Sequence, residues 1–168
     1  AKIWEKNESI QECEFFLNSL NNKPNLKVKL SDTASYNKAK DLITMPKIQQ
    51  FLSSEDYYAT LFHELVHGTG HTSRLKRPTL MEVEKFGDKN YSKEELVAEI
   101  GSSFLCNFFG INTPVLDENQ EAYVKGWLKA LKEDVKLIFE AATEAQKAFN
   151  FLIGQEPIYS KNIQKSDE

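Results

Sequence analysis

The stretch Leu61-Phe62-His63-Glu64-Leu65-Val66-His67-Gly68-Thr69-Gly70-His71 decides how this 168-residue chain is read, because it holds all three histidines. Leu61, Phe62, Leu65 and Val66 mark a buried helix. Residues four apart on a helix share a face and stand about 6 Å apart along its axis. His63 and His67 can therefore aim two imidazoles at one cation. Glu64 sits one position on, where its carboxylate can reach a water on that cation without being a ligand itself. Imidazoles and a carboxylate in an apolar setting are costly unless paired or bound to metal. This is the HExxH pattern, in which a helix holds zinc and the glutamate serves as general base.

A catalytic zinc site needs three protein ligands and an open fourth position. The candidates for the third are His71, Glu94, Glu95 and Glu99. A straight helix would carry His71 about 12 Å from His63, and Gly68 and Gly70 weaken the helix there. Glu95-Leu96-Val97-Ala98-Glu99 is the better source. Glu95 and Glu99 share a face with Ser102, Ser103 and Cys106, which suits close packing against the helix of His63 and His67.

Working outward, the helix of the motif starts near Ser54, with Ser53 or Ser54 as N-cap and Glu55 and Asp56 in the first turn. Upstream, spacing predicts a helix over 8–20 and a strand at Leu26, Val28 and Leu30 with one wet face. Short strands follow at 34–36 and 41–45, the last closed by Pro46 and read as a sheet edge. Residues 72–91 are polar and read as a loop. Ser92-Lys93-Glu94-Glu95 reads as a capping box opening a helix to Phe109. Thr113–Asp117 is a linker, and 118–153 is helical, as two helices meeting near 130–133. The expected architecture is α+β and mainly helical, with about three antiparallel strands. Residues 1–153 form one domain and 154–168 a polar tail.

The segment around Glu95 resembles the E-x-x-A-D/N element of gluzincin-like families. That resemblance implies Glu95 as zinc ligand and Glu99 as the partner that orients a ligating histidine. Here glutamate replaces the usual Asp or Asn, so the two roles stay exchangeable, with His71 as a further alternative. A wider likeness covers about residues 34–153. Tyr57 to His71 with Ser73-Arg74-Leu75, Phe86-Gly87, Tyr91, Glu94 to Gly101, Trp127 to Asp134 and Ala141-Ala142 with Ala145 to Ala148 resemble the metallopeptidase domain of ArdC-type antirestriction and polyvalent proteins. The resemblance implies a zincin-like fold with one Zn²⁺ per chain, in a cytoplasmic protein of bacteria or their mobile elements. It also implies an upstream single-stranded-DNA-binding domain that these residues do not contain. The chain begins at Ala1 rather than Met, as an excised domain would.

The chemistry expected is hydrolysis of a peptide bond, with His63, His67 and Glu95 on zinc and Glu64 as general base. An extended substrate would add to strand 41–45. Tyr91, Tyr123, His71 and Arg74 are candidates for the oxyanion or a substrate carboxylate. The alternative is an antirestriction module that keeps a metal and binds protein without cleaving it.

The remaining composition is restrictive. A net charge of −4 argues against a sequence-independent grip on nucleic acid. No apolar run is long enough to span a membrane. Cys13 and Cys106 lie among large apolar residues and read as buried thiols rather than a disulfide framework.

Overall fold

A computed structural model describes residues 7–82, 89–112, 125, 128–129 and 132–155. The linker at 113–117, Tyr123, Trp127 and most of the polar tail lie outside them. Among the described residues no helix is long and apolar enough to cross a membrane.

The chain opens with helix α1 (Gln11–Ser19), then strands β1 (Asn25–Val28), β2 (Ser35–Asn37) and β3 (Leu42–Met45). Helix α2 (Ser54–Thr69) carries the histidines, and a short helix α3 (Pro78–Met81) breaks the polar loop after it. Helices α4 (Lys89–Phe108) and α5 (Val135–Ile153) complete the body. Two caps act as their residue types dictate. Ser53 accepts the Asp56 amide at the start of α2, and Asp134 accepts the Leu137 amide at the start of α5. Ser92 lies inside α4 and does not cap it.

The sheet is mixed rather than antiparallel. Its order is β1-β3-β2, with β1 parallel to β3 and β2 antiparallel to it. A tight turn makes β2 and β3 a hairpin. There Asp41 takes a left-handed φ of 48°, and the Lys40 amide bonds Asn37 Oδ1. With one flank of β3 taken by β2, β1 takes the other, and the crossover through β2 fixes its parallel sense. Strand β3 is therefore central, and the reading of 41–45 as an edge for substrate is corrected. The outer strands are β1 and β2. The expected buried face of β1 is also absent: all four of its residues are exposed, Leu26 and Val28 included.

Ile43 and Met45 turn their buried side chains inward from β3, toward a core built around α2. Tyr58, Leu61, Phe62, Leu65 and Val66 lie on one broad buried face of that helix, as an amphipathic pattern dictates. Helix α4 lies so close that a Cβ on Gly101 would stand 2.8 Å from Val66 Cγ1. Ser102 Oγ bonds the Ala59 carbonyl across the same seam. Helix α5 packs through Ala141, Ala145 and Ala148, small residues at helical spacing. This packing brings Glu95 to the histidines.

Candidate metal centre

The two imidazoles project one turn apart from α2, with ring centroids 4.8 Å apart and Nε2 atoms 3.2 Å apart. From α4, Glu95 Oε2 lies 3.3 Å from His63 Nε2, and its Oε1 lies 3.1 Å from His67 Nε2. Donors about 2.0–2.1 Å from a tetrahedral ion stand about 3.3 Å apart. The Nε2–Nε2 separation and the distance from each imidazole to its nearer Glu95 oxygen are close to that figure. Among the described residues, His63, His67 and Glu95 form a group whose ligand atoms all lie within 4.8 Å of one another.

The outer nitrogens reinforce this fit. His63 Nδ1 is 2.8 Å from Glu99 Oε1, and His67 Nδ1 is 2.6 Å from Glu94 Oε2. A carboxylate on Nδ1 keeps a proton there and leaves the Nε2 lone pair pointing inward. Two lone pairs and a carboxylate then converge on one point and repel unless a cation joins them. The donor set suits a divalent metal. Without metal a proton does the same work. Burial depresses both imidazole pKa values, but the carboxylates outweigh it. Glu95 and Glu99 push His63 up to about 10, and Glu94 and Glu95 push His67 up to about 9. Glu95 responds oppositely: burial would raise its pKa, yet His63 and His67 hold it well below the carboxylate range.

Glu64 is buried beside these groups on α2. Its pKa is raised, by burial above all, against the opposing pull of His67 and His63. Such a carboxylate takes a proton more readily than an exposed one.

The other candidates fall in different places. Tyr91 lies one turn before Glu95 on α4, and its pKa is raised by burial and by the Glu95 and Glu64 charges. His71 lies past the end of α2, where its Nδ1 pairs with Ser73 Oγ at 2.7 Å, outside the donor cluster. The Arg74 guanidinium is committed to Asp41, the Gly68 carbonyl and Asn22 Oδ1. That leaves it joining α2 to the hairpin. Glu94, a candidate third ligand by sequence, stands behind His67.

Sequence reasoning missed Arg77 and Thr79, which bond Glu94, and Thr69, which accepts from Arg77. No spacing rule marks them. The glycines offered a signal of a kind. A Cβ on Gly68 would run into the Pro24 ring, and one on Gly70 would meet the Arg77 guanidinium at 2.9 Å. They make room for close packing as well as ending the helix.

A buried helix with two imidazoles one turn apart, an acid from the neighbouring helix and a small sheet alongside define a zincin-like metal-binding domain. The chain belongs to the zincin-like metallopeptidase family, whose sequence model matches residues 13–144. It is 43% identical over 140 residues to the DNA primase TraC of Escherichia coli, which covers 82% of this chain and 13% of the primase. It also resembles the crystal structure of the antirestriction protein ArdC from plasmid R388 with Mn(II) bound. The TM-score there is 0.69 at 42% identity, over 88% of this chain and 53% of that one. The metal-free ArdC structure gives 0.68 at 41% identity, over 87% and 50%. The chain thus spans a small part of the primase and about half of ArdC.

Proposed function

We propose that this domain is a zinc-dependent peptidase that hydrolyses a peptide bond in a protein substrate in the bacterial cytoplasm, in the service of antirestriction or mobile-element transfer. The observation that carries this reading is the convergence of His63 Nε2 and His67 Nε2, 3.2 Å apart, on the Glu95 carboxylate, whose Oε2 lies 3.3 Å from the first and Oε1 3.1 Å from the second, beside buried Glu64. A His₂Glu set is one that zinc peptidases use. Mn(II), present in the ArdC structure, is the competing ion.

In this reading His63, His67 and Glu95 hold the ion, which supplies Lewis acidity toward a water and a carbonyl when bound. Glu94 and Glu99 fix both imidazoles with Nε2 inward. The Glu64 carboxylate takes a proton from the attacking water and returns it to the departing amine nitrogen. The Tyr91 hydroxyl donates to the oxygen that gains charge as the carbonyl carbon becomes tetrahedral.

ArdC is an antirestriction protein, and a second reading follows, since a domain can block another protein by binding it without cleaving it. The domain would then keep its metal for shape, and Glu64 would be dispensable. The deciding experiment is metal content by mass spectrometry, followed by a search for cleaved proteins with Glu64→Gln as control. One zinc per chain with cleavage lost in Glu64→Gln supports the peptidase. Metal without any Glu64-dependent cleavage supports the binder.

A further inference from the structure

The mechanism leaves the buried guanidinium of Arg77 unused. Arg77 is 2% exposed and sits between the end of α2 and the start of α4. Its Nε donates to Glu94 Oε1 at 2.6 Å, and its Nη2 donates to Glu94 Oε2 at 3.1 Å and to the Val66 carbonyl at 2.9 Å. Its Nη1 donates to Thr69 Oγ1 at 3.0 Å. Thr79 Oγ1 donates to Glu94 Oε1 at 2.9 Å, and Glu94 Oε2 lies 2.6 Å from His67 Nδ1.

We propose that Arg77 is a positioning residue for the metal centre: it saturates Glu94, keeps that carboxylate off the ion, and holds it against His67 Nδ1 so that His67 presents Nε2. The proposal rests on the metal-site reading above.

Three observations carry it. Helix geometry sends the neighbouring acids Glu94 and Glu95 to opposite sides of the His67 ring, and Glu94 stays off the ion when its own oxygens are occupied. A carboxylate offers about four acceptor sites. Arg77 and Thr79 take two on Oε1, while His67 and Arg77 take two on Oε2, so none remains for a metal. Second, the contact is a two-pronged fork on both oxygens, a geometry that guanidinium supplies and ammonium does not. Third, the fold makes room for it. Gly70 lacks the Cβ that would press on the guanidinium at 2.9 Å, and the Arg77 amide bonds the Gly70 carbonyl to turn the chain back. A buried ion pair is a poor way merely to join two helices, since an apolar pair of similar volume often holds as well or better. A role in aiming His67 explains its presence.

The test measures zinc affinity by competition, and the visible spectrum of the Co²⁺-loaded protein, for the whole chain and for R77M, R77K, E94Q, T79V and R77M/E94Q. Circular dichroism checks folding. We expect folded R77M to bind zinc about 10- to 100-fold more weakly, the usual effect of losing an outer-shell partner, and to shift the Co²⁺ bands. R77K should fall between R77M and the unmodified chain. Because Arg77 acts through Glu94, R77M/E94Q should bind no more weakly than the worse single variant. Unchanged affinity and spectrum in folded R77M would overturn the proposal. Losses that multiply in the double variant would also overturn it, as they mark a structural tie independent of Glu94. Should R77M fail to fold, T79V decides, since it removes a single donor to Glu94: a smaller loss in the same direction supports the proposal and no loss overturns it. An unmodified chain that takes up no zinc or Co²⁺ overturns the metal-site reading itself, and the proposal with it, a result distinct from all of these.

Discussion

Glu94 and Glu95 follow each other in sequence yet approach His67 from opposite sides of its ring, Glu94 Oε2 2.6 Å from Nδ1 and Glu95 Oε1 3.1 Å from Nε2. Helix geometry is the cause, since successive residues differ by about 100° around the axis. One acid is left facing the point where the imidazoles converge. The other is buried behind the ring.

Removal of Glu95 and of Glu99 should therefore differ. Glu95→Ala deletes a donor from the cluster and should abolish stoichiometric zinc. Glu99, whose side chain is 41% exposed, pairs its carboxylate with His63 Nδ1. Glu99→Ala should keep the metal with affinity lowered about 10- to 100-fold. Metal content of the purified variants measures both. Retention of full zinc by Glu95→Ala would reassign the third ligand.

Glu64→Gln separates binding from chemistry. The amide preserves shape, and Glu64 is outside the donor cluster, so zinc content should stay at that of the unmodified chain. Peptide hydrolysis should fall by about 10²–10⁴-fold, the usual worth of a positioned general base. Substantial hydrolysis by the zinc-loaded variant would remove Glu64 from the mechanism.

The thiols should be inert. Cys13 and Cys106 are both buried and unpaired with each other. Burial, with added repulsion from Cys106, Glu12 and Glu14, pushes the Cys13 thiol up to about 12, so thiolate is scarce at neutral pH. A thiol-disulfide reagent should label the native protein slowly, and label both cysteines at once in denaturant. Rapid labelling of Cys13 in the native protein would contradict its place in the core.

Much of this site could be read from the sequence because helix geometry is local. His63 and His67 needed only their spacing, while the choice of third ligand among Glu95, Glu99 and His71 stayed open. The sheet was less legible. The alternation of Leu26, Val28 and Leu30 promised a buried face, but strand partnership is decided by topology, and β1 lies on the outer flank of β3 with both its faces exposed. In the polar loop Arg74 reads as a functional candidate and Arg77 draws no reading. One joins the hairpin through Asp41 and the other reaches Glu94, 17 positions further along the chain. Such contacts depend on how α2, the loop and α4 fold back, which no local pattern encodes.

Asp41 should give the fold an acid-sensitive tie. Burial would raise its pKa, but the Arg74 guanidinium and the Tyr36 hydroxyl, bonded at 2.7 Å, together with nearby His71, hold it below the ordinary aspartate value. A carboxylate depressed in the folded state stabilises the fold above its unfolded pKa, about 3.9. That contribution fades as pH falls through the folded value. Asp41→Asn keeps a residue that tolerates the left-handed backbone there. The unmodified chain should lose melting temperature below about pH 4 more steeply than this variant. Parallel acid limbs would show that the contact carries no pH-dependent stability.

Gly101→Ala sets two terms of opposite sign against each other. Alanine in a helix interior is favoured over glycine by about 1 kcal/mol. Against that, the new Cβ would lie 2.8 Å from Val66 Cγ1 and 3.0 Å from Cγ2. Val66 is fully buried and β-branched, so it has little freedom to rotate away. Overpacking of this kind costs about 1–3 kcal/mol, and the steric term should win. The expected outcome is a lower melting temperature, by about 2–4 °C for each kcal/mol of net loss. The displacement also has a direction. Val66 adjoins His67, and Gly101 lies two positions beyond Glu99, so pushing α4 away from α2 draws Glu95 back from both imidazoles. Zinc affinity should fall along with stability. A variant that melts higher and binds zinc as tightly as before would mean that the seam relaxes without moving the donors, and that the close approach at Gly101 is not what sets the distance across the site.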